Sequence, residues 1–207
     1  MRAILSAAAL TCALAAGAAT TAAVDPADPH AHHHPDANRE LQRSSSTHVL
    51  PNVALTRADG RTVRAPEEFD DGRPVLLNFV YTSCTTICPL SSQVFSEFQE
   101  SLGEKERTRV HLVSISIDPE QDTPARLREY AARFHARRGW DHYTGTVEAV
   151  AAVRQAFNAY RGDKMSHTPL TFLREAPGKP WVRLDGFVTV ADLRSETQSW
   201  GRLLVSR

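Results

Sequence analysis

"PVLLNFVYTSCTTICPLSSQ", residues 74–93, contains three local signals in succession. Val75–Tyr81 is a nearly unbroken apolar and aromatic run of strand length, the pattern of a strand covered on both faces. Two cysteines four positions apart, Cys84 and Cys88, follow at once. Pro89 then opens a stretch in which Leu90, Val94, Phe95, Phe98 and Leu102 recur at helical spacing. A buried strand that hands over to a helix is the unit from which α/β sheets are built. The carboxyl edge of such a strand is where ligand and catalytic groups gather.

The rest of the chain repeats the alternation. "NVALTRADGRTVRAP" reads as an N-terminal β-hairpin turning at Ala58-Asp59-Gly60. "VHLVSISI", 110–117, is a second buried strand. "TPARLREYAARFHARRG" has Thr123 as N-cap, Pro124 at the first helical position and Gly139 as its stop. "TVEAVAAVRQAFNAY" is a further helix, "PLTFL", 169–173, a third core strand, "WVRLDGFV" another strand, and Val190–Leu204 a terminal helix. The expected class is α/β, a central sheet flanked by helices on both faces.

The 207 residues hold 24 basic and 24 acidic side chains. This balance argues against nucleic acid or an anionic membrane surface as a partner. At the N-terminus Arg2 precedes the small and apolar run Ala3–Ala19, and Ala18, Ala19, Ala22 and Ala23 offer cleavage positions, the layout of a secretory signal peptide over 1–23. Cys12 lies inside it, a weak match to a lipoprotein acceptor. Residues 24–47 read as a Pro- and Ser-rich linker that carries His30, His32, His33 and His34, a tract that can bind metal. The domain then spans 48–207. An exported chain meets an oxidising compartment, periplasmic or otherwise, with the N-terminus as a membrane tether if it is retained.

Three chemistries are open to the cysteine pair. Unpaired amides and the dipole at a helix start favour thiolate over thiol. A spacing of four stacks the two side chains about 5–6 Å apart at Cβ, which allows a disulfide or a shared metal. An inert staple is disfavoured, because closing so short a loop stabilises little. A metal calls for a third ligand from His48, His111, His135, His142 or His167. His111 lies in a strand pattern, His135 on a basic helix face and His142 in a loop after Trp140. His167, directly before the core strand, is the strongest candidate. Two thiolates and an imidazole are a soft, low-coordinate set that suits copper, above all Cu(I). A Cys–His hydrolase would leave the second cysteine without a use.

"NFVYTSCTTICP", "VSISIDPEQDTP" and "SHTPLTFL" together resemble the Sco/SenC family, exported thioredoxin-fold proteins associated with copper delivery to cytochrome c oxidase. The likeness covers roughly 48–205. It implies a thioredoxin-like fold, copper as the bound ion, and Cys84, Cys88 and His167 as its ligands. A cytochrome oxidase subunit or another copper or thiol protein is the implied partner. Asp118 matches the family's acidic residue, with a turn-forming role expected for it. The resemblance further implies that strand 169–173 runs parallel to its neighbours, placing His167 at the cysteine edge. Two departures favour an alternative, thiol–disulfide exchange with Cys84 attacking and Cys88 resolving. Thr85-Thr86-Ile87 lacks the acidic residue many members carry, and Thr168-Pro169 resembles the cis-proline of thioredoxin-like oxidoreductases.

Overall fold

Val75–Val80 forms β4, and all six of its residues are buried. A strand without an exposed face needs cover on both sides. The computed structural model, which describes residues 41–200, supplies it with an eight-stranded sheet in the order β1-β8-β7-β4-β5-β6-β2-β3. The strands are β1 (Gln42–Ser46), β2 (Ala54–Arg57), β3 (Thr62–Arg64), β4, β5 (His111–Ser116), β6 (Trp140–Gly145), β7 (Leu170–Arg174) and β8 (Trp181–Asp185). The helices are α1 (Ala65–Phe69), α2 (Ile87–Ser101), α3 (Glu104–Arg107), α4 (Pro124–Arg133), α5 (Val147–Ala156) and α6 (Val190–Thr197). The described residues belong to the unit 39–207, one of two into which the chain divides. The signal-peptide reading, Cys12 and the histidine tract lie outside them.

Side-chain alternation along β4 shows how the two faces are filled. Asn78 points to one face, where it accepts from Ser114 Oγ at 2.7 Å, and that oxygen accepts in turn from Trp140 Nε1 at 3.0 Å. Phe95 of α2 packs on the Trp140 ring from this side, and Ser92 of α2 meets the Tyr130 hydroxyl of α4 at 2.7 Å. Phe79 points the other way, into an aromatic cluster with Phe157, at the end of α5, and Phe172 of β7. Helices therefore cover both faces, as the alternating pattern predicts. Burying each such large apolar side chain stabilises by about 1.5–3 kcal/mol.

β4–β5 and β5–β6 pair in parallel, whereas β4–β7, β7–β8 and β2–β6 pair antiparallel. The antiparallel β7 corrects the direction expected from the sequence, and its register explains why the site still assembles. Asn78 lies opposite Thr171 and Val75 opposite Arg174, so the start of β7 stands beside the end of β4. A parallel β7 would have carried His167 to the opposite edge.

Other differences have local causes. Trp140–Gly145 is a strand, and His142 is a buried sheet residue rather than part of a loop. The preceding helix stops at Arg133; Gly139, at φ +97°, turns the chain into β6 where a Cβ would collide with the Arg107 carbonyl. Gln42–Ser46, inside the stretch read as linker, adds an edge strand beside β8. The hairpin of β2 and β3 forms as expected. Arg57 holds it down, reaching Asp141 of β6 at 2.7 Å and Glu68 of α1 at 3.3 Å.

Burial makes His142 hard to protonate, pulling it down to about 4, with Asp141 opposing the shift. An exposed imidazole in the unfolded chain titrates near 6.5. Between those values the unfolded chain binds the additional proton, so stability declines as pH falls from about 6.5 toward 4. Urea unfolding midpoints measured across this range should drop with acidity, and His142→Phe should flatten the drop. A slope unchanged by that substitution rules out His142 as a contributor.

Candidate metal and thiol site

Beyond Val80 the chain turns at Tyr81–Cys84, where the Cys84 amide donates to the Tyr81 carbonyl at 3.1 Å. Helix α2 starts at Ile87, and its N-cap residue Thr86 makes no side-chain capping bond. The Cys84 sulfur takes that place, accepting from the Cys88 amide at 3.4 Å. A first-turn amide that would otherwise lack an acceptor is thereby satisfied. Cys84 is 7% exposed and Cys88 fully buried, and both are free thiols.

The two sulfurs differ in acidity. Burial alone would raise Cys84, but hydrogen bonds from the backbone amides of Cys88 and Thr86, the Cys88 thiol and the Tyr81 hydroxyl outweigh it and lower its pKa. Cys88 is pushed well up, first by burial and then by the neighbouring Cys84. The pair is thus unequal, with Cys84 the more acidic thiol and Cys88 the less acidic one. Burial also keeps the Tyr81 phenol protonated, so it remains a donor.

Asp122, fully buried in the β5–α4 loop, fixes this turn from below. Its carboxylate accepts from the Thr82 amide at 3.0 Å, Thr82 Oγ1 at 2.5 Å and Ser116 Oγ at 2.6 Å. The third loop arrives through Lys164, on a 3-10 turn (Lys164–Ser166), whose Nζ donates to Asp118 Oδ2 at 2.6 Å. Asp118 does close the β5–α4 turn, its carbonyl accepting from the Gln121 and Asp122 amides, and it also anchors the segment that leads to His167. Sequence reasoning missed Asp122 and Lys164. The available signal was a second aspartate just before the Thr123 cap in "DPEQDTP".

His167 is buried, with Nε2 at 3.0 Å from the Phe79 carbonyl and its ring 6.4 Å edge-on from that of Tyr81. A carbonyl only accepts, so Nε2 carries the proton and Nδ1 keeps its lone pair. Burial lowers the imidazole to about 4, so the ring is neutral at physiological pH. The Thr168–Pro169 peptide is trans, since no cis bond occurs among the described residues, and the cis-proline expectation fails here.

The remaining histidines lie elsewhere. His48 bridges the Ala156 carbonyl and Ser46 Oγ, and His135 sits at φ 53° just past α4. His111 lies within 3.0 Å of the Tyr143 hydroxyl and 3.2 Å of Asp141. Among the described residues, Glu68, His111 and Asp141 bring three potential ligand atoms within 4.8 Å of one another. The Arg57 guanidinium, paired with both carboxylates, already supplies the cation there. Cys84 and Cys88 touch, and His167 stands at the same sheet edge beside Tyr81, without closing to a cluster of that kind.

The model of the SCO1/SenC family matches residues 42–200. The chain belongs to that family. Copper-bound ScoI of Bradyrhizobium japonicum is 26% identical at a TM-score of 0.61, over 73% of this chain and 99% of that one. Copper-bound ScoI of Arabidopsis thaliana is 26% identical at 0.58, over 72% and 96%. A SCO2-like protein of Rickettsia felis is 33% identical over 118 residues, 52% of this chain and 56% of its own. The chain thus spans about half the length of the curated relatives it matches. Its fold is thioredoxin-like, as in these Sco structures.

At neutral pH iodoacetamide should alkylate Cys84 first, so Cys88→Ser should keep the fast reaction and Cys84→Ser lose it. Equal rates for the two would contradict the acidity order. Asp122→Ala strips three donors of their buried acceptor and should lower unfolding free energy by about 3 kcal/mol in a denaturant titration.

Proposed function

We propose that this protein carries copper for the assembly of cytochrome c oxidase, holding the ion through the thiolates of Cys84 and Cys88 and the imidazole of His167. The main support is the site's donor chemistry. One sulfur is held toward the thiolate by backbone amides, a second lies against it, and a neutral imidazole at the same edge keeps Nδ1 unprotonated. Two soft sulfurs and a nitrogen fit copper, particularly Cu(I), better than they fit hard cations. Relatives seen with copper bound, and one Sco protein described as a member of a family of cytochrome c oxidase assembly proteins, support the same reading. Copper in this account is cargo. The chain's own part is to set the tautomer of His167 through Phe79, favour the thiolate of Cys84 and shield the pair from bulk water.

The cellular setting belongs to the proposal as well. The Ala-rich leader directs export, to the periplasm in a bacterium, and a retained leader tethers the domain to the membrane. Among the described residues no helix is long and apolar enough to cross a membrane.

A second reading rests on the unequal acidity of the thiols. Cys84, as thiolate, attacks a partner disulfide and forms a mixed disulfide, releasing one partner thiolate. Cys88 then gives up its proton, attacks Cys84 Sγ and releases the second, so that the partner gains two electrons and this pair loses two. A neighbouring structure is that of a Sco protein with an identified disulfide switch. The two readings join, because oxidation removes both sulfur ligands and frees the ion.

Titrating the reduced full-length protein with Cu(I) against a competing chelator tests the ligand set. His167→Ala should weaken binding by about tenfold or more. Replacing His30, His32, His33 and His34 together by Ala should leave the tight site in place. Unchanged affinity in His167→Ala overturns the three-ligand site, and loss of affinity with the four linker histidines moves the binder to that tract.

A further inference from the structure

Met165 is the most exposed large apolar side chain near the cysteine edge, 75% open to solvent. Its backbone is nonetheless held: the Met165 amide donates to Asp163 Oδ1 at 2.9 Å, and the preceding Lys164 is clamped to Asp118. Its sulfur accepts from the Tyr81 hydroxyl at 4.0 Å, and Tyr81 belongs to the cysteine edge: its carbonyl accepts from the Cys84 amide at 3.1 Å and its ring stands 6.4 Å from that of His167. One tyrosine thus joins an outer thioether to the cysteine turn and the histidine ring. From the surface inward, the sulfurs of Met165, Cys84 and Cys88 belong to residues that are 75%, 7% and 0% exposed.

That gradient bears on how an ion reaches thiols that are almost closed to solvent. A thioether is uncharged and needs no deprotonation. It is a soft donor that favours Cu(I) over harder ions and holds it more weakly than a thiolate does. We propose that Met165 Sδ is an outer ligand for Cu(I), engaged as the ion passes to and from Cys84 and Cys88. The exchange is a substitution of one sulfur for another. Copper stays in the +1 state and no electron moves, so neither oxidant nor reductant is required. Tyr81, whose hydroxyl holds the Met165 sulfur and whose carbonyl holds the Cys84 amide, is a positioning residue in this route. The inference rests on the copper reading above.

The sequence makes the test clean, since Met165 shares the chain with one other methionine, Met1. Full-length reduced protein carrying [13C-methyl]methionine is titrated with Cu(I), and separately with Zn(II). Below one equivalent, Cu(I) should shift the Met165 methyl resonance, assigned by its loss in Met165→Leu, whereas Zn(II) should leave it in place. In stopped flow, Met165→Leu should take up Cu(I) from a chelated stock about tenfold more slowly, while equilibrium affinity stays within about threefold of wild type. A methyl resonance unmoved by Cu(I), or uptake by Met165→Leu at the wild-type rate, overturns the outer-ligand role. If wild type binds Cu(I) with a still methyl signal, this inference alone falls. If wild type binds no Cu(I), the copper reading falls with it.

Discussion

β4 is paired on one side with a parallel strand and on the other with an antiparallel one, and the position of every group in the site follows from that. The parallel partner β5 ends where β4 ends, so the loops after both strands, Tyr81–Thr86 and Ile117–Thr123, emerge together. The antiparallel partner β7 begins at the same edge, so the segment before it, with Lys164 and His167, arrives there too. Both partnerships require β4 to be buried on its two faces and hydrogen-bonded along its two edges. Its unbroken apolar composition meets the first condition.

Loops brought to one edge do not become a site unless something fixes them, and here two carboxylates do. Asp122 binds the cysteine turn to the end of β5, and Asp118 binds the histidine segment to the same loop. A carboxylate taken out of water is costly without partners, which is why Asp122 accepts three hydrogen bonds and Asp118 a lysine. Near the thiols their charge has a second effect. Asp122 adds to the factors that raise Cys88 and Asp118 to those that raise Tyr81, which helps keep both groups protonated while backbone amides favour the Cys84 thiolate. The same groups that order the edge therefore help set its acid–base asymmetry.

Much of this was legible in the sequence, because apolar runs and caps are local signals. β4, β5 and β7, the hairpin, and the helix with Thr123 as its cap are of this kind. The cysteine pair and His167 were legible as residue types at spacings that matter. Strand direction was not, since "PLTFL" reads the same way up or down a sheet. β6 was missed because "WDHYTG" mixes polar and aromatic residues, and its burial comes from tertiary neighbours such as Tyr130 and Phe95. Lys164 has no local mark at all; its role depends on Asp118, 46 positions earlier in the chain. The state of the Thr168–Pro169 bond was likewise set by fold rather than by the dipeptide.

The capping of α2 by a sulfur bears on whether carriage and thiol exchange are alternatives. An N-cap oxygen from Ser or Asp would satisfy the Cys88 amide equally well and leave no reactive group behind. With sulfur in that place, helix geometry and thiolate stability depend on one hydrogen bond, and whatever draws electron density from Cys84 weakens the cap. A soft cation and a disulfide both draw density from that sulfur, though only the cation leaves Cys88 and the His167 ring available as partners. On the proposed reading, occupation of Cys84 by either a metal or a sulfur acts on the same hydrogen bond that starts α2, so the two readings share one point of control.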